Sequence, residues 1–402
     1  MVSNVLTSRQ GSFLDWESDK HASFTTGILP SQEIRHLLET ERVICRTYPP
    51  ISDAQVQPAS LDLRLGETAY RVQASFLPGQ FSKVEDKIKQ LKMTRIDLNR
   101  EGLLERGGIY IVPLMEELDL PDQISGKANP KSTTGRLDIF TRLITDYGSE
   151  FEFVPTGYKG KLFAEIVPRT FSIRVRAGMR LSQLRFTRGK PLPADSVIAA
   201  LHEESPLVYH ADDNPAEANI DKGLKISVNL IGSDESEIVA YKAKKNAPAI
   251  DLGNIDHYSP NEFWDAKRSV GTKGLILDPG DFYILASKER ICVPPQCAAE
   301  MVAIDPSIGE FRIHYAGFFD PGFGYGTGEL RGTRAVLEVR AHEVPFLIED
   351  GQIVGRLTYM RLLSCPDIIY GSAIGSSYQR QALTLSKQFK RDVEVAQSDS
   401  FS

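Results

Sequence analysis

A chain of 402 residues exceeds one compact domain and accommodates two, at most three, each with its own core. Hydrophobic residues make up 41% and charged residues 25%, which excludes a disordered or fibrous chain. With 47 Lys plus Arg against 53 Asp plus Glu the net charge is −6, so there is no broad positive field for nucleic acid and a phosphate-bearing ligand must be met by a local pocket.

No apolar run approaches the ~20 residues that span a bilayer, and the stretch MVSNVLTSRQGSFLDWESDK lacks a basic region followed by an apolar one. The expectation is a cytoplasmic protein with no membrane partner. Cys45, Cys292, Cys297 and Cys365 are too few and too scattered for a disulfide framework and read as reduced structural thiols.

In chain order, PSQEIRHLLETE (30–41) predicts a helix with Ile34, Leu37 and Leu38 on one face. Strand-like alternation follows at 60–66, 108–114, 160–167, 171–178, 224–232 and 334–341, and a second, weaker helix signal lies at 83–92. Helix signals are confined to these two stretches. With 31 Gly and 23 Pro at turn spacing, the fold class is mainly β, built of sandwiches or barrels with a few short peripheral helices. Residues 391–402 are expected to form a disordered tail.

An internal repeat sets the organisation. REGLLERGGIYIVPLMEELDLP (100–121) has a partner in TKGLILDPGDFYILASKERICVP (272–294), and 161–186 lies over 335–359. That alignment matches Glu165 with Glu338 and Gly178 with Gly351, each 173 residues apart (338 − 165 and 351 − 178). SLDLRLG at 60 similarly resembles KISVNLIG at 225. Two tandem copies, 1–205 and 206–390, account for the length.

Zinc-dependent deamination needs H-x-E and P-C-x-x-C, and neither spacing occurs: four residues separate Cys292 from Cys297, and His342 is directly followed by Glu343. Walker, Rossmann and nucleophile-elbow patterns are missing as well. Glu338 interrupts an apolar strand, A-V-L-E-V, where alternation otherwise places Leu or Val. By residue type alone it is an outward-facing carboxylate on an edge strand; buried, it would have a raised pKa and relay protons near neutrality.

Five segments in fixed order carry a family resemblance: VQPASLDLRLG (56–66), NPKSTTGRL (129–137), AGFFDPGFG (316–324), AVLEV (335–339) and SYQRQALTLSK (377–387). Together they resemble the dCTP deaminase branch of the dUTPase-like superfamily, over most of the chain and in tandem-duplicated form. The resemblance implies two β-clip (distorted barrel) domains and hydrolytic deamination of dCTP to dUTP and ammonia without zinc. It implies Glu338 as the acid/base, with Ser132 and Arg136 as its catalytic partners. It also implies a nucleoside held by the hairpin that includes Ala316 and Asp320, and a C-terminal segment with Tyr378, Gln381 and Lys387 that covers the nucleotide. Mg²⁺ is expected to ride on the triphosphate, and trimer-type packing of a homo-oligomer is the expected assembly.

The copies depart from the pattern in complementary ways. Pro155 stands where the first copy should have the hairpin Asp, and AIDPSIGEFRI (303–313) stands where the second should have Ser and Arg. Thr133 replaces the second Ser of the family segment, Arg356 replaces the counterpart of Gln183, and a glycine-rich insertion occupies 324–332. The expectation is one composite site, with Ser132 and Arg136 facing Asp320, Glu338 and the tail, and Glu165 marking a second or vestigial site. The alternatives are a dUTP diphosphatase or bifunctional enzyme, and a non-catalytic protein that binds dCTP, dUTP or dTTP.

Overall fold

The computed structural model describes residues 24–391 apart from 192–193, 211, 233–236, 270–273, 304–310, 314–316, 326–330, 342 and 372–382. Strands dominate it, and their order is the same in the two halves. In the first half the sheet runs Lys92–Asp97, Thr68–Val72, Ile109–Asp119, Lys159–Pro168 and Ile139–Thr145, with Val43–Cys45 added to Ile109–Asp119. In the second it runs Trp264–Arg268, Ile238–Ala243, Tyr283–Ile291, Thr333–Ala341 and Phe311–Ile313, with Val208–Tyr209 added to Tyr283–Ile291. The opposing sheet is built around Arg180–Arg188 in the first half and Ile353–Arg361 in the second, flanked by Leu61–Arg64 and Ile124–Pro130 or by Leu224–Ser227 and Cys297–Ala303.

The strands Ile124–Pro130, Ile173–Val175 and Arg180–Arg188 recur 173 residues later as Cys297–Ala303, Phe346–Ile348 and Ile353–Arg361. Gly178 and Gly351, aligned by that offset, both take a positive φ, 81° and 78°, in the turn before the matching strands. A side chain there would be strained, so the repeat keeps glycine at both places.

The helices Ser31–Glu39 and Val84–Leu91 form where the sequence predicts them, burying Ile34 and Leu37 in one case and Val84 and Ile88 in the other. A further helix, Asp195–Glu204, corrects the expectation that helix signals are confined to those stretches. Only Ile198 and Leu201 of its ten residues are buried, too few for a readable apolar stripe. It lies ahead of residue 206, yet both side chains pack in the core of the second half. Among the described residues no helix is long and apolar enough to cross a membrane.

The two halves are interlocked. After Ile238–Ala243 the second half sends a loop across to the first, where Ile250–Asp251 pairs in parallel with Ile173–Val175. Phe263, Trp264, Phe282 and Phe389 follow it into the first core, Trp264 meeting Phe171 edge-on at 5.5 Å. Large aromatic surfaces buried this way stabilise the docking through area and through edge-to-face contact.

Candidate active site

A cleft of about 540 Å³ opens between the halves, lined by Ser132, Arg136, Asp320, Glu338 and Lys387 among others. Five residues singled out in the sequence therefore meet in one place, within one chain. Ala316, Tyr378 and Gln381 lie outside the described residues, as do 326–330 of the insertion.

The Ser132–Arg136 segment follows the strand Ile124–Pro130, where Pro130 ends the ladder and one helical turn, Ser132–Gly135, begins. Thr134 Oγ1 donates to the Leu181 carbonyl at 2.8 Å and fixes that turn against the neighbouring strand. The C-terminal segment then closes over it. Ser386 Oγ donates to the Thr133 carbonyl at 2.9 Å, Arg136 Nη1 to the Thr384 carbonyl at 3.1 Å, and Gln388 Nε2 to the Leu252 carbonyl at 3.1 Å. Phe389 anchors the strap between Phe263 and Trp264.

Glu338 sits at the centre of Thr333–Ala341, paired with Ile284 on the adjacent strand, and is 6% exposed. Alternation puts Val336, Glu338 and Arg340 on the same face of that strand, toward the first half. Burial pushes the Glu338 carboxyl up to about 7; the Arg136 guanidinium pulls it down and Asp138 pushes it further up. A carboxyl with that pKa exchanges protons at neutral pH.

At the first-half wall of the cleft, three cations gather around one carboxylate. Asp62 pairs with Lys131 and lies 3.5 Å from Arg180 Nη1. Lys387 arrives from the strap, its ammonium held below the usual lysine range by burial and by repulsion from Lys131 and Arg180, which Asp62 partly offsets. Lys131, Arg180 and Lys387 outnumber Asp62 and Asp320, the carboxylates within their reach, so this wall carries an excess of positive charge that suits an anion in a protein of net charge −6. Lys131 and Arg180 escaped the sequence reading, although Lys131 directly precedes Ser132.

Asp320 lies in the hairpin after the short strand Phe318–Phe319, at the second-half wall. Burial raises its pKa and Arg185, 3.6 Å away, opposes that rise. Its Oδ1 is buried, makes no hydrogen bond within normal distance and is the oxygen that faces Arg185 Nη2, while the residue itself lines the cleft.

Glu165 is placed differently from its counterpart. It is fully buried, away from the cleft-lining residues, and Arg142 Nη2 and Nε donate to its Oε1 at 2.5 and 3.1 Å. The same guanidinium is stacked 3.4 Å over the Phe151 ring and 4.6 Å over Phe140. The cation paired with it occupies the space before its Oε1.

The model of the 2′-deoxycytidine 5′-triphosphate deaminase N-terminal domain matches residues 25–190, and that of the C-terminal domain of the same family matches 194–389. A crystal structure of 2′-deoxycytidine 5′-triphosphate deaminase from Agrobacterium tumefaciens superposes with a TM-score of 0.80 and 48% identity, covering 84% of this chain and all of that one. The dCTP deaminase of Haloarcula marismortui is 29% identical over 170 residues, 42% of this chain and 82% of the relative. A dUMP-forming dCTP deaminase of Streptomyces coelicolor is 28% identical over 162 residues, 39% of this chain and 78% of the relative. Each of these two relatives spans about one of the two repeats.

Proposed function

The chain belongs to the 2′-deoxycytidine 5′-triphosphate deaminase family, and on that premise we propose that it converts dCTP and water to dUTP and ammonia at the single composite cleft. The observation that carries the reading is Glu338: a buried carboxyl with a pKa of about 7, facing Arg136 across a cleft whose first-half wall is cationic.

Ionised Glu338 takes a proton from the water that attacks C4 of cytosine and delivers it to N3. A second proton passes from the C4 hydroxyl through the same carboxyl to the amino group, which leaves as ammonia while the C4 carbonyl forms. Arg136 stabilises negative charge as it develops, and Ser132 orients the water or a phosphate oxygen. Lys131, Arg180 and Lys387 take the triphosphate, which carries its own Mg²⁺. Asp320 accepts from the sugar 3′-hydroxyl, and contact with the base is the role the family resemblance implies for Ala316, which lies outside the described residues. For Tyr378 and Gln381, outside the described residues, the role is the one the family resemblance implies, cover of the nucleotide that keeps bulk water from the reacting ring.

Glu165 is given no part in this reaction, because Arg142 pairs with its Oε1 and it is not among the residues that line the cleft. The chain therefore carries one working site. A second reading, in which the product goes on to dUMP and pyrophosphate, is favoured by the dUMP-forming activity named for the Streptomyces relative.

Product analysis separates the readings. Incubated with dCTP and Mg²⁺, the protein is expected to release ammonia and dUTP in equal amounts, with no pyrophosphate in the phosphorus spectrum. Pyrophosphate with dUMP would establish the second reading, and binding of dCTP without ammonia release would overturn both.

A further inference from the structure

Arg185 is the most deeply buried cation of the chain's first half that reaches into the second. Its side chain is 2% exposed. It lies on Arg180–Arg188, opposite Lys127 on the neighbouring strand, and crosses the boundary between the halves. Nη1 donates to the Ala299 carbonyl at 3.1 Å, Nη2 to the Phe319 carbonyl at 3.3 Å, and the guanidinium stacks 4.0 Å over the Phe318 ring. Asp320, the next residue, is 3.6 Å from Nη2. Glu300, paired with Lys127, is the other carboxylate that acts on it.

A planar guanidinium that binds two carbonyls on paired strands, Ala299 opposite Phe319, fixes the spacing of those strands and the hairpin beyond them. Its charge favours the ionised form of Asp320, whose Oδ1 is the oxygen it faces at 3.6 Å, so the guanidinium bears on both the hairpin backbone and the carboxylate of this cleft-lining residue. The feature is one-sided: the matching position of the second repeat is Thr358 (185 + 173), whose hydroxyl bonds to the Glu300 carbonyl within its own sheet. Desolvating an arginine is costly unless its partners are well placed, so a purely space-filling role is better served by an apolar side chain.

We propose that Arg185 is a positioning residue for deamination: from the first repeat it holds the second repeat's hairpin so that Asp320 meets the sugar 3′-hydroxyl. This rests on the reading of Asp320 given above. The test compares dCTP with 2′,3′-dideoxycytidine triphosphate in the wild-type protein and in Arg185→Met, Arg185→Lys and Asp320→Asn. Arg185→Met is expected to raise KM for dCTP about tenfold with kcat changed less than about threefold, and to bring the preference for dCTP over the dideoxy compound down to that of Asp320→Asn. Arg185→Lys, which retains the charge without the fork, is expected to recover part of that preference and provides the comparison if the Met variant does not fold. If Asp320→Asn loses the preference while both Arg185 variants keep it in full, the inference fails alone. If Asp320→Asn also keeps it, the role given to Asp320 fails and takes the inference with it.

Discussion

Replacing Glu338 with Gln is expected to lower kcat by about 10³-fold, in the range set by loss of a positioned acid/base, while Glu165→Gln changes it less than about threefold. The amide preserves size and packing but cannot take the water's proton. The wild-type kcat/KM should rise with pH along a limb centred near 7, because the ionised form is required and burial places its pKa there. Stability should move the opposite way. A carboxyl whose pKa is raised from 4.5 to about 7 on folding favours the fold most at low pH, and that contribution is lost as pH rises through this interval. Glu338→Gln should therefore be more stable than the parent above pH 7, by at most about 3 kcal/mol. Thermal unfolding at pH 5 and pH 8 checks this: the variant's advantage should appear at pH 8 and shrink at pH 5. An advantage that does not change with pH would remove the case for a strained acid.

Replacing Arg340 with Met is expected to cost about 3–5 kcal/mol, the usual effect of leaving a buried charge without its partner. Arg340, two residues past Glu338, reaches across to Asp138, two residues past Arg136, and pairs with it. Its Nη2 also donates to Thr170 Oγ1 at 2.7 Å, and that hydroxyl donates to Asp138 Oδ2 at 2.6 Å. Asp138 is fully buried at φ 54°, a backbone region that Asp tolerates better than most residues. The cluster thus joins the strand of Glu338 to the loop of Arg136. Arg340→Met with Asp138→Asn should recover most of the lost stability, since neither side is then left charged. Urea unfolding of the single and double variants measures this, and a single-variant loss below about 1 kcal/mol would show that the pair does not join the halves.

The duplication was legible because β register tolerates little slippage: Arg180–Arg188 and Ile353–Arg361 align residue for residue at the offset read from the sequence. Glu338 could be picked out because it breaks an apolar alternation, and Ser132, Arg136, Asp320 and Lys387 because they stand in recognisable segments. Arg185 and Arg340 carried no such mark. Each sits on a strand as an ordinary alternating polar residue, and the partners that carry it across to the other half lie more than a hundred positions away. Glu165 and Glu338 align in the repeat and the sequence favours Glu338 only through its neighbouring segments; what sets Glu165 apart in the fold is Arg142, whose stacking on Phe151 depends on how the strand Ile139–Thr145 meets the loop beyond it. The helix Asp195–Glu204 stayed hidden because two buried side chains in ten residues make no readable stripe.

In the proposed site both sides come from one chain. Mixing two inactive proteins tests it directly: differently tagged chains, one with Ser132→Ala and Arg136→Ala, the other with Glu338→Gln, are co-expressed, purified through both tags and assayed with dCTP. A site within the chain predicts no more ammonia release than the sum of the two variants assayed alone. Activity well above that sum would mean that Ser132 and Arg136 of one chain serve Glu338 of another, and would contradict the assignment.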